Sequence, residues 1–186
     1  MSRPKTDLSS FDNSDFDVGA SKLKWALWFF ANSLIVKNPI NPFNGLKRAV
    51  LKAFGAKIGV GVVIKPGVNV KFPWRLEVGN HVWLGENVWI ENHRLVSIAD
   101  HCCVSQEAML LCGNHNYKKT TFDLMASGIT LEEGAWVGAR SVVCPGITVK
   151  SHAILAVGSV ASSDLEAYSI YKGNPAVKVR DRNMEA

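Results

Sequence analysis

The sequence contains no run of about 20 apolar residues, so no segment reads as a membrane-spanning helix. Residues 1–20 are rich in Ser, Asp and Asn and have no apolar middle. That argues against a cleavable signal and for a loose or externally docked tail. Cysteine is scarce: Cys102, Cys103, Cys112 and Cys144 form neither a CxxC pair nor a zinc pattern. A disulfide framework and a structural metal therefore lack support, and four reduced core thiols in a cytosolic protein are expected. What is present suffices for a packed core: 47% of the 186 residues are hydrophobic and 20% charged, which suits one domain of ordinary size. Lys and Arg number 21 against 16 Asp and Glu, a net charge of +5. This mild excess suits an anionic ligand, a lipid surface or nucleic acid without choosing among them.

Residues 21–56 hold two helix candidates. Ser21 can cap a stretch from Lys22 to Val36, and Asn41-Pro42 opens a second from Phe43 to Phe54, which Gly55 ends. The first is apolar on most of its circumference, through Leu23, Trp25, Leu27, Trp28, Phe29, Phe30, Leu34 and Ile35. From Ile58 the texture changes. Glycine and β-branched residues dominate, and a motif recurs with a step of six: aliphatic, small or acidic, two free positions, small or β-branched, one free position. It begins at Ile58, Ile64, Val78, Leu84, Ile98, Val104, Leu110, Leu131, Val137, Val143, Val149 and Leu155. Each unit predicts one short strand and a corner, with the leading aliphatic pointing inward and Gly or Asn turning the chain. Three faces close a triangle, and turns stack at the ~4.8 Å strand spacing. The phase slips by two positions between Val70 and Val78 and between Ile90 and Ile98, and by fifteen between Leu110 and Leu131. It resumes each time at the first face, so the insertions leave from one edge of the prism. The longest, about His115 to Thr130, is too polar for the core and is the place to look for function.

This pattern resembles the hexapeptide-repeat acyltransferases over nearly all of Ile58 to Arg180. The likeness is carried by Trp136-Val-Gly-Ala-Arg-Ser-Val-Val-Cys-Pro-Gly-Ile-Thr-Val and Gly173-Asn-Pro-Ala-Val-Lys-Val-Arg. Val63-Ile-Lys-Pro-Gly-Val, Phe72-Pro-Trp-Arg-Leu and Gly113-Asn-His-Asn-Tyr resemble the branch named for colanic acid biosynthesis. The resemblance, not the periodicity, implies a left-handed parallel β-helix, mainly β, with helices at its start. With the changes of texture along the chain, this gives a polar tail (1–20), a helical cap (21–56) and a β-helix domain (57–186) with a protruding loop at 115–130. The resemblance implies O-acetyl transfer from acetyl-CoA to a sugar hydroxyl in surface-glycan biosynthesis, without a metal, by a homotrimer with active sites between neighbouring prisms, and the cysteine usage adds the expectation of a cytoplasmic protein.

Of the five histidines, His81, His101 and His152 fall at corner positions and His93 in a two-residue insertion. His115 stands alone at the mouth of the long loop, and the resemblance makes it the general base. A sugar hydroxyl is a poor nucleophile at neutral pH; an imidazole can take its proton during attack on a thioester and return it to the departing thiolate. By spacing alone, the ring could equally cap a turn. Asn87, Glu91 and Asn92 lie one prism turn earlier, as candidates for holding acceptor hydroxyls or orienting the imidazole, although Asn also serves corners well. Tyr117 is a candidate for lining the acceptor pocket. For the donor, the resemblance points to the backbones of Ala139 and Val157, to Ser162 and Ser163, and to the basic residues Lys178 and Arg180. Ser163 stands where relatives carry Lys, so Lys172, Lys178 or Arg180 would supply the charge.

The first helix has two readings. It covers the free strand edges of the first turn, or its aromatics and flanking Lys22, Lys24 and Lys37 make a peripheral membrane contact. Three rival functions use the same coil. N-acyl transfer to an amino sugar employs the same base, and a purely structural scaffold would need none. A zinc hydratase of the γ-carbonic anhydrase kind needs a second His five residues after His115, a stretch holding Lys119 and Thr120. Nucleic-acid binding would want a basic stripe with stacking aromatics, which the repeats lack. The acceptor sugar is not encoded in any motif.

Overall fold

The computed structural model describes residues 3–185. Its body is a three-sided parallel β-helix. Face A stacks Lys57–Ile58, Leu76–Val78, Val96–Ile98, Ile129–Leu131 and Thr148–Val149. Face B stacks Val63–Ile64, Trp83–Leu84, Cys103–Val104, Trp136–Val137, Ile154–Leu155 and Ser169–Gly173. Face C stacks Asn69–Val70, Trp89–Glu91, Met109–Leu111, Val142–Val143 and Val160–Ala161.

Each hexapeptide contributes two side chains to the core. The leading residues, from Ile58 to Leu155, are at most 7% exposed. Fifth-position residues such as Val62, Val82, Cys102, Ala135 and Ala153 are buried beside them. The fourth position turns the corner with φ between 52° and 83°, whether it is Gly61, Gly67, His81, Asn87, His101, Glu107, Gly134, Arg140, Gly146, His152, Gly158 or Tyr168. Left-handed backbone is costly for residues with a Cβ. Stacking across turns offsets part of that cost: His81 lies on His101 at 5.3 Å between ring centroids, and His152 on Tyr168 at 4.8 Å.

All three phase slips occur between face C and face A. The first two bring the spacing of one turn to twenty residues, so that Asn69 pairs with Trp89 and Trp89 with Met109. The third is an antiparallel hairpin, Gly113–His115 against Leu124–Ala126. The excursion expected at 115–130 therefore starts two residues earlier, because Gly113 and Asn114 form its outgoing arm. It ends sooner too: Thr130 already pairs with Ser97 on face A and Ile129 is buried.

The open edge of the first turn is capped by α1 (Lys22–Ala31), which runs on as a π-helical turn (Asn32–Val36), and α2 (Asn44–Ala53). The Ser21 side chain caps α1 by accepting from Lys24 N, and Gly55, at φ 106°, follows α2. Unpaired strand groups find side-chain partners here. Trp28 Nε1 donates to the carbonyls of Val70 and Lys71, each at 3.0 Å. Lys47 Nζ donates to Ile64 O at 3.1 Å, Arg48 to Val62 O, and Asn44 Oδ1 accepts from Ile64 N. Lys47 is fully buried, and desolvation pushes its ammonium below the ordinary lysine range. At the other end Leu165 bridges to Val149, and Ser169–Gly173 turns back on Ala176–Asp181. The four cysteines are free thiols, and burial pushes Cys102 and Cys112 up to about 11.

A Cβ added to Gly61 would lie 2.4 Å from His81 Nδ1, on backbone already at φ +66°. Gly61→Ala should destabilise the fold by about 1–3 kcal/mol in urea unfolding. Combined with His81→Gly, only the conformational part of that cost should remain, a coupling that a double-mutant cycle measures.

Candidate active site

The hairpin at the C–A corner presents His115. In antiparallel register it faces Leu124, and its ring stacks on Phe122 at 4.4 Å with 6° between planes. Nδ1 lies 2.8 Å from Phe122 O. A carbonyl can only accept, so Nδ1 carries a proton, and in the neutral ring the lone pair is on Nε2. The backbone thus holds the ring in the tautomer that a general base requires.

Beside it lies a cleft of about 470 Å3 lined by Phe11, Asn13, Lys71, Trp89, Glu91, His93, Leu111, Gly113, His115 and Leu124. The twenty-residue turn explains its floor: Lys71, Glu91 and Leu111 occupy one rung of successive turns. Glu91 is 5% exposed and joins the parts. Its Oε1 pairs with Lys71 Nζ at 2.9 Å and sits 2.5 Å from His93 Nδ1, outside hydrogen-bond geometry. Its Oε2 accepts from Gly113 N at 3.1 Å, at the root of the His115 arm. Burial pushes the Glu91 carboxyl up, but His93 and Lys71 outweigh it, and the net direction is below the ordinary carboxylate value. Gly113 is required by closeness rather than by φ: a Cβ there would lie 2.9 Å from His93 Nδ1.

The polar tail closes the other side. Asp7 N donates to Thr120 O at 2.8 Å, and the Phe11 ring stands 5.9 Å from His115. Phe16 packs on His93 and Phe72, and Arg75 bonds the carbonyls of Asp17 and His93. The tail is therefore docked.

The remaining candidates do not all gather here. Asn92 is completely buried: Oδ1 accepts from Phe72 N, and Nδ2 donates to Phe72 O and Arg75 O. Its amide holds the first insertion against the second turn and is closed to a ligand. Asn87 is an exposed corner residue between faces B and C, packed over Gly67 and outside the cleft. Tyr117 is 77% exposed near the hairpin tip and also outside it. Ala139 and Val157 meet at the B–C corner, where Gly158 N donates to Ala139 O at 2.9 Å. A Cβ on Gly158 would meet open space, so this backbone is approachable. Ser162 and Ser163 are exposed beyond face C's last strand; Lys178 and Arg180 lie on the final strand, with Lys178 paired to Asp181 at 2.7 Å. Sequence reasoning passed over Phe11, Asn13, Lys71, Trp89 and Leu111. The twenty-residue spacing held a signal for the last three, whereas the tail carries no periodicity that could have placed Phe11. Among the described residues, no three His, Cys, Asp or Glu side chains group as metal ligands.

No family model matches the chain. It is 31% identical over 176 residues to the "Putative colanic acid biosynthesis acetyltransferase WcaF" of Escherichia coli K12, covering 95% of this chain and 97% of that one. It is 21% identical to the galactoside O-acetyltransferase of the same organism, over 74% of this chain and 69% of the relative. Among solved structures, the hexapeptide-repeat acetyltransferase VCA0836 of Vibrio cholerae, complexed with acetyl-CoA, superposes with a TM-score of 0.78. That match has 17% identity and covers 94% of this chain and 93% of the other. The fold is thus the left-handed parallel β-helix that the family resemblance implied.

Because the folded Glu91 pKa lies below its ordinary value, its stabilisation is present above about pH 4.5 and is lost as pH falls through the lower folded value. Glu91→Gln should cost about 1–3 kcal/mol in urea unfolding at pH 7, with the difference from wild type shrinking towards pH 3.

Proposed function

The chain belongs to the hexapeptide-repeat acetyltransferases, and from that membership we propose that it moves an acetyl group from acetyl-CoA to a sugar hydroxyl, with His115 as general base. The observation that carries this reading is the imidazole held through Nδ1 by Phe122 O on a residue that lines the cleft. The names of the E. coli relatives support a glycan acceptor, and that of WcaF supports a role in exopolysaccharide synthesis.

In this reading Nε2 accepts the hydroxyl proton as the oxygen attacks, and the imidazolium, still anchored through Nδ1, returns a proton to the departing sulfur. Trp89, 40% exposed on the cleft floor, offers an apolar surface to a sugar ring. Glu91 acts through position, tying the His115 arm to the rung below. Ala139 and Val157 would line the donor's path with small, open backbone. Ser162 and Ser163, with Arg180 and Lys172, would meet its phosphates, since Lys178 is engaged by Asp181. Four free thiols suit a reducing, cytoplasmic compartment.

We further propose a homotrimer. Face A is polar outside, with Lys57, Glu77, Ser97, Thr130 and Thr148 along one row. Face B presents Val63, Trp83, Cys103, Trp136, Ile154 and Ile170, and face C presents Asn69, Trp89, Met109, Val142 and Val160. Two different apolar faces and one polar face suit a closed ring in which each prism sets one apolar face against the other of its neighbour.

Mass spectrometry of an oligosaccharide panel incubated with acetyl-CoA should show acetylated product, and His115→Ala should lower the rate by ~10²–10⁴. Unchanged turnover in that variant would remove the assigned base. Analytical ultracentrifugation should report three chains. Replacing Trp136 on face B with Glu should yield smaller species, because it buries a charge in an apolar contact.

A further inference from the structure

The helical cap uses only one side of itself. Trp28, Asn32, Val36, Lys47 and Leu51 turn inward and are buried. On the outward side, Leu23, Leu27, Phe30 and Leu34 follow one another at i, i+4, i+7 and i+11 and are 53–70% exposed. Ile40 at 86% and Phe43 at 69% are also exposed, in the segment that leads from this helix to α2. An apolar stripe of this kind on a polar-rimmed surface marks a contact site.

Charge says what the contact is with. Between Asp17 and Glu77 the chain has no Asp or Glu, while it carries Lys22, Lys24, Lys37, Lys47, Arg48, Lys52, Lys57, Lys65, Lys71 and Arg75. Almost half of the 21 cations thus sit in an acid-free third of the chain. Lys22, Lys37, Lys52 and Lys65 are exposed and without ion pairs among the described residues. A second copy of this face would bring like charge against like. Nucleic acid would match the charge but not four aliphatic and aromatic side chains in a row. An anionic bilayer matches both. Among the described residues no helix is long and apolar enough to cross a membrane, and α1 has ten residues, so it would lie in the interfacial plane.

We propose that the outward side of α1, together with Ile40 and Phe43, docks the protein on an anionic lipid bilayer. The test is co-sedimentation of the full chain with phosphatidylcholine vesicles, with and without phosphatidylglycerol, across a salt series. Wild type should bind the phosphatidylglycerol vesicles, release progressively with salt, and bind phosphatidylcholine at least about tenfold more weakly. Leu27→Glu with Phe30→Glu should abolish binding, with an unchanged sedimentation coefficient and unchanged acetyl transfer to a soluble sugar. Lys22→Gln with Lys37→Gln, which leaves the apolar packing intact, should weaken binding ~30-fold. Absence of wild-type binding to either vesicle, or equal binding by wild type and the lysine variant, would overturn the proposal. So would a fall in assembly mass on the Glu substitutions, which would make the stripe an interface between copies.

Discussion

A parallel coil this narrow depends on one constraint repeated at the A–B and B–C corners: the chain must turn through left-handed backbone at the fourth position of each unit while two side chains per unit fill the axis. Neither half works alone. A buried aliphatic every six residues without the corner would run on as a straight strand, and the corner without the aliphatic would have no core to wrap. The twelve corner residues include five glycines, of which Gly61, Gly67 and Gly134 lie under a neighbour's ring or amide, and seven residues with side chains, of which His81 stacks on His101, His152 on Tyr168, and Arg140 pairs with Glu107. Gly61 under His81 and Gly67 under Asn87 are the tightest of these pairings, so the choice of residue on one turn is dictated by its neighbour on the next.

The same constraint decides where chemistry can occur. The A–B and B–C corners keep the step of six, and all added residues leave at the C–A corner. There the chain is released from the coil without disturbing its core, and there the His115 hairpin stands on a rung that earlier turns have built. Glu91 is the link between scaffold and candidate site: a buried carboxylate whose pKa His93 and Lys71 hold down against its burial, with one oxygen accepting from the backbone of the His115 arm. Rigid positioning of the proposed base by groups that are themselves locked is what acyl transfer by proximity would require.

The ends of the coil pose a separate problem, since a stack of parallel strands leaves carbonyls and amides unpaired on its first and last turns. The C-terminal hairpin meets it by adding strands. The N-terminal helices meet it with side chains, at the expense of burying Lys47 beside a backbone carbonyl with desolvation opposing its charge. Covering an edge with helices rather than strands leaves an outward helical face, and the cationic, acid-free composition of that segment gives the face a chemical preference.

Much of this was legible in order along the chain. The period of six, the inward aliphatics, the shared edge of the insertions, the Ser21 cap and the lone His115 are local patterns, and local patterns survive without coordinates. The composition of the site was not. Lys71, Glu91 and Leu111 become neighbours only through stacking at twenty residues, and Phe11 and Asn13 arrive by the docking of a tail with no periodicity of its own. Asn92, which reads as a corner or ligand residue, is sealed because the three-residue turn at Pro73–Arg75 places two carbonyls and an amide against it. Periodicity determines which residues share a face; which of them share a cavity is set by contacts between segments far apart in the chain, and those only the folded structure decides.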